Sequence, residues 1–184
     1  MDLDAVLDRV SRNCLRGQPV PDDLQRLWQA QLEGDTAPLD VADLVLVDAL
    51  DRDFFEGYRE QDGAPPDLVR AYLRMFEQIA FIGQTGDGGM LGYWQGEARC
   101  SIEDSPLVEL DSEGQFDLWG TQLSEYLLLK ADVRDDLTSA RSWLKTRGVP
   151  VPVESPEDIW KKLEMCRDPN LQFNRYWDEE QAKG

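Results

Sequence analysis

The sequence has no histidine, half as many basic as acidic residues and no long apolar run, and each shortage closes off a class of function. Without histidine, the commonest general base and a frequent metal ligand, most nucleophilic triads and many zinc sites are excluded. There is no Gly-x-Ser-x-Gly elbow, no Cys-x-x-Cys and no calcium loop with alternate oxygen ligands and a closing glutamate. Cys14, Cys100 and Cys166 are odd in number and widely spaced, which fits neither a disulfide framework nor a metal knuckle. They read as buried or idle thiols. No stretch approaches the roughly 20 apolar residues that span a bilayer. The acidic, amphipathic start MDLDAVLDRV is not a secretion signal, so a cytoplasmic location is expected.

What is abundant is acid: 37 Asp and Glu against 19 Lys and Arg, a net charge of -18. The excess is concentrated. Asp35 to Asp67 holds ten acids against Arg52 and Arg59, and Glu103 to Asp136 holds ten against Lys130 and Arg134. Such a chain repels nucleic acid and anionic membranes and is steered toward basic surfaces. The expected partner is therefore a protein with a basic surface, and neither a nucleic acid nor a membrane. Plain solubility explains the same charge, so both readings stand at this point.

At 184 residues the chain fits a single domain, residues 1–184, with a substantial core. Its first half reads as helix. Leu3, Val6, Leu7 and Val10 fall at helical spacing; a second helix opens at Pro21, carries Leu24, Leu27, Trp28 and Leu32 on one face and stops at Gly34. A third helical pattern runs from about Val41 to Arg59 through Leu44, Val47, Leu50, Phe54 and Tyr58. A fourth begins at Pro66, where proline suits the first turn, and leads into a strand at Ile79.

The middle changes period. IAFIGQTGDGGMLGYW, residues 79–94, has a glycine cluster that invites comparison with a phosphate cradle, yet Met90 and Leu91 stand where a Walker loop needs lysine and a hydroxyl. The downstream residues are also too short and apolar to open a dinucleotide-binding helix. The stretch predicts two strands, Ile79 to Ile82 and Met90 to Trp94, with Asp87 and the glycines supplying positive φ in the turn. No cofactor is expected. SPLVELDSEGQFDLWG alternates in period two around an Asp111 to Gly114 turn, giving a second hairpin. Together they predict about four antiparallel strands with one apolar face under the helices. Helices follow over TQLSEYLLLKA and from about Asp136 to Gly148, and VPVPV is an extended connector. Ser155-Pro-Glu-Asp158 starts a further helix with Trp160, Leu163 and Cys166 inward, and Phe173, Tyr176 and Trp177 pack the last segment.

Adjacent carboxylates, Glu103 with Asp104 and Asp135 with Asp136, would serve as glycosidase acids or magnesium ligands only if opposed and partly buried; side by side on loops they read as solvated patches. The candidate binding residues are instead Glu103, Asp104, Glu113 and Asp117, which flank the second hairpin, with Trp94 and Trp119, each ending a strand beside glycine and acid and expected to be partly exposed.

In this order the segments resemble a known family. VPDDLQRLWQAQLEG is similar to the proline-led helix near the start of SMI1/KNR4-like (SUKH superfamily) domains. IAFIGQTGDGGMLGYW resembles that family's glycine-rich first hairpin, and SPLVELDSEGQFDLWGTQLSEYLL resembles its second hairpin and the Ser-x-x-Glu-aromatic-Leu helix after it. The resemblance implies an α+β fold with an antiparallel sheet of about four to six strands wrapped by helices. Its core would span 21–131, interrupted by a helical insertion at 35–78 and followed by a C-terminal helical extension at 132–184. It also implies a non-enzymatic protein-binding role, since many relatives are immunity proteins that neutralise toxins, often nucleases. A regulatory or scaffold role on the same fold is the alternative, and a carboxylate hydrolase stands last because a catalytic constellation is missing.

Overall fold

The computed structural model describes residues 2–50, 64–151 and 155–183. Among these, eight helices surround one open sheet of five antiparallel strands in simple meander order, an α+β architecture. The elements are α1 (Leu3–Asn13), α2 (Asp22–Glu33), α3 (Ala37–Val41), β1 (Leu44–Leu46), α4 (Pro66–Phe76), β2 (Ile79–Thr85), β3 (Met90–Trp94), β4 (Leu107–Leu110), β5 (Phe116–Gly120), α5 (Leu123–Val133), α6 (Leu137–Thr146), α7 (Pro156–Leu163) and α8 (Pro169–Gln181). No helix among the described residues is long and apolar enough to cross a membrane.

Several boundaries follow the local chemistry. Gly34 ends α2 in the left-handed conformation at φ 77°, where its amide bonds the carbonyls of Ala30 and Gln31. Ser155 accepts from the Asp158 amide at the start of α7, with Pro156 at the first helical position. In the first hairpin only Gly88 takes a positive φ (90°); Asp87 does not, and acts through its carboxylate instead, accepting from the Thr85 hydroxyl at 2.5 Å and the Gly89 amide at 3.2 Å.

Three expectations are corrected. The proposed helix from Val41 breaks at Asp43 (φ 53°), and Leu44–Leu46 is an edge strand pairing with Gly83 to Thr85; Phe54 and Tyr58 lie outside the described residues. Leu44 and Leu46 are buried and Val45 is exposed, a period-two pattern too short to stand out beside helical neighbours. Second, the sheet is covered on both faces, not one. Ala80, Ile82, Leu91, Tyr93 and Leu107 join the core under α1, α2, α5, α6 and α7, while Ile79, Phe81, Met90, Trp94, Val108, Leu110 and Phe116 join the core under α4 and α8. Strands so enclosed must be apolar on successive residues, as IAFI and MLGYW are. Third, Trp94 is only 6% exposed, and in α7 it is Ile159 and Leu163 that point inward, whereas Trp160 is exposed and Cys166 half-buried.

The helical layers are tied to the sheet by charges and amides as well as by apolar area. Glu180 of α8, nearly buried, meets Arg70 at 2.9 Å and Arg74 at 3.2 Å on α4. Glu125 of α5, fully buried, takes Lys162 of α7 at 2.8 Å and the Thr121 amide at 2.6 Å. Both edges of the sheet are closed in the same manner. Gln31 of α2 clasps Leu46 of β1, its Oε1 accepting from the amide at 2.9 Å and its Nε2 donating to the carbonyl at 3.1 Å. Asn170 of α8 clasps Phe116 of β5 likewise, at 3.1 and 2.8 Å.

Phe116 is fully buried, so removing its clasp strands an amide and a carbonyl away from water. Asn170→Ala is expected to lower the unfolding free energy by about 1–3 kcal/mol, measured by urea titration. An unchanged midpoint would show that the edge finds its partners without Asn170.

Candidate functional site

In an antiparallel meander, alternate strand ends share one side. The start of β1, the end of β2, the start of β3, the end of β4 and the start of β5 therefore meet at one end of the sheet, and each turn there carries acid. Asp43 precedes β1, and its carbonyl accepts from the Gly86 amide at 2.9 Å. Its carboxylate packs against Gly86, close enough that a Cβ there would push the Asp43 side chain aside. Asp87 fills the β2–β3 turn. Asp111 shapes the β4–β5 turn, its Oδ1 accepting from the amides of Glu113 at 2.9 Å and Gln115 at 2.8 Å. Asp117 stands opposite Glu109 in the register of β4 and β5.

Lys130 reaches down to this end from α5. Its ammonium pairs with the buried Glu109 at 2.9 Å and sits 3.9 Å from the centre of the Trp119 ring. Its charge also acts on Asp87 and Asp117. The Thr85 hydroxyl holds Asp87 below the usual carboxylate range, whereas burial and then the charge of Asp111 push Asp117 above it. Burial and the neighbouring Glu109 push the Tyr126 phenol upward. The glycine turn is thus lined by carboxylates, the reverse of a phosphate cradle.

The structure separates the candidate residues named from the sequence. Glu113 and Asp117 lie in this acidic end, both exposed, and Trp119 flanks it, half-buried between Lys130, Tyr126 and Trp160. Glu103 and Asp104 lie at the opposite end, exposed on a 3-10 turn (Ile102–Asp104) capped by Ser101. Trp94 is on the other face of the sheet; with Asp104 and Cys166 it lines a groove of about 470 Å³. Glu103 lines a different cavity, of about 280 Å³, with Asp22, Asp23 and Tyr93. Asp135 and Asp136 follow α5 at its C-terminal turn. Among the described residues, no group of three or more Cys, Asp and Glu could hold a metal ion.

Asp43, Asp87, Glu109, Asp111 and Lys130 belong to the acidic end but were not among the candidate residues read from the sequence. The signal was strand parity: once β1 exists, its first residue must fall beside the two hairpin tips. No protein-family model matches the chain, and searches of curated proteins and of solved structures likewise produced no match.

An acid pushed above its ordinary value of 3.8 destabilises the fold when ionised, so Asp117 costs stability above its folded pKa, and that cost vanishes as pH falls below 3.8. Asp117→Asn should therefore raise the melting temperature at pH 7, with the gain fading by about pH 3. A thermal series over that range checks it; an equal or lower melting temperature at pH 7 would mean that Asp117 supports the fold.

Proposed function

We propose that this chain is a non-catalytic protein-binding domain that presents the acidic end of its sheet to a basic surface of a partner, and that the partner is a toxin of the nuclease kind. The observation that carries the reading is the gathering of Asp43, Asp87, Asp111, Glu113 and Asp117 at one end of the sheet, with Lys130 acting on Asp87 and Asp117. Asp87 and Asp111 also shape their own turns, while Glu113 and Asp117 beside them are exposed, so this end of the sheet presents negative charge to solvent.

The chemistry of the partner follows from the charge. A nuclease must hold a polyphosphate backbone, so its substrate channel is basic and accessible. A rigid set of carboxylates on closely tied turns offers that channel a substitute for phosphate, and the net charge of -18 steers the encounter. The resemblance of residues 21–34 and 79–131 to SMI1/KNR4-like domains, many of which neutralise toxins, favours the same choice.

The test is a kinetic binding series against the product of the adjacent gene, at low and high salt, with inhibition of its nuclease activity as second readout. Reversing Glu113 and Asp117 to lysine should slow association about tenfold at low salt and much less at high salt, because exposed charges act mainly on the encounter. Reversing Glu103 and Asp104, at the far end, should leave the rate within about twofold. Equal effects of the two sets would remove the acidic end as the binding site; binding without inhibition would assign the domain to regulation instead.

A further inference from the structure

The opposite end of the sheet has a feature that the acidic end does not explain. The cavity of about 280 Å³ between the start of α2, the 3-10 turn and the β5–α5 connection is lined by three carboxylates, Asp22, Asp23 and Glu103, with no Lys or Arg among its described lining residues. Tyr93 lines the same cavity. It is only 2% exposed, its hydroxyl lies in the field of Asp23, and that hydroxyl has no hydrogen-bond partner among the described residues. Buried hydroxyls are normally paired, and this one, beside carboxylates at the cavity wall, would accept from a donor entering there.

The lining specifies that donor. Asp23 already accepts from the Leu24 amide at 2.8 Å and the Leu123 amide at 3.1 Å, which fixes its position and leaves each oxygen further acceptor capacity. Asp22 and Glu103 are exposed at the mouth. These carboxylates are not grouped closely enough to ligate a metal ion. Pro21, Ile102 and Pro150 supply apolar wall. The volume falls just under the range of about 300–1,000 Å³ usual for small-molecule sites, so the occupant is short.

We propose that this cavity binds a short alkylammonium group, its stem against Pro21, Ile102 and Pro150 and its ammonium among Asp22, Asp23 and Glu103, donating to the Tyr93 hydroxyl. An ammonium carries three donors and no acceptor, which matches an array of acceptors around a stranded phenol oxygen. The group arrives either on a free diamine or on a lysine side chain of a protein.

Calorimetry on the full chain at fixed salt separates the sources, with 1,4-diaminobutane in one arm, N-acetyl-lysine-N-methylamide in the other and 1-butanol as the uncharged control. Saturable heat from an amine and none from butanol is expected; stronger binding of the diamine assigns a free metabolite, and stronger binding of the lysine derivative assigns a side chain. Tyr93→Phe and Glu103→Gln should each weaken binding about tenfold, the scale of one hydrogen bond to a charged group. Tyr93→Phe should also leave the melting temperature of the free protein unchanged or higher, since it removes an unpaired group, and so loss of binding is not loss of fold. Reversal of Glu113 and Asp117 should not affect amine binding, which keeps this site separate from the protein interface. No saturable heat from either amine, or full binding by the Tyr93→Phe, Glu103→Gln double variant, overturns the proposal.

Discussion

The sheet is buried on both faces, and most of the remaining architecture answers to that constraint. Strands with helices above and below cannot shed polar backbone to water along their faces, so any exposure is confined to the two edges and the two ends. The edges are closed by the amides of Gln31 and Asn170, each supplying one donor and one acceptor in the geometry of an absent strand. The ends are left. There the turns emerge, and there the molecule places its charge at one end and its small acid-lined cavity at the other.

Burial on both faces also explains the charged groups inside. Glu109 is the one polar residue of β4, and it is tolerated because Lys130 descends to meet it and is itself covered by the Trp119 ring. Glu125 and Glu180 play comparable parts between helices, each held by more than one donor. Pairs of this kind add little net stability over apolar packing, yet losing one partner is expensive. They therefore restrict how helices can be arranged on the sheet. The Glu109 pair does more, since it fixes the height of Lys130 and hence the field felt by Asp87 and Asp117.

Much of this was legible in the chain. Gly34, the Ser155-Pro156 start and the turns at Asp87-Gly88 and Asp111-Gly114 mark their elements through local chemistry, which sequence carries directly. The burial of both faces was present too, in strands that run apolar without alternation, but the polar alternation of the second hairpin drew the reading toward a half-exposed sheet. Three residues of β1 gave no usable period. The clasps of Gln31 and Asn170 had no local signature at all, because each acts on a residue fifteen or more positions away. The acidic end depends on all of these, since acids spread from Asp43 to Asp117 become neighbours only when five strands pair in order. That is why four acids flanking one hairpin looked like one patch and are two.

The clasp at the β5 edge has a consequence for the lifetime of the protein in solution. Asn170 holds Phe116 through an amide that must both give and take a hydrogen bond. Slow hydrolysis of that amide to a carboxylate, a covalent change asparagine undergoes as proteins age, would leave two acceptor oxygens, one of them against the Phe116 carbonyl. A single lost nitrogen would turn attraction into repulsion at a closed edge, loosening α8 from the strand and exposing main chain able to recruit a second molecule. The side chain that closes this edge is thus also one whose chemical ageing would reopen it.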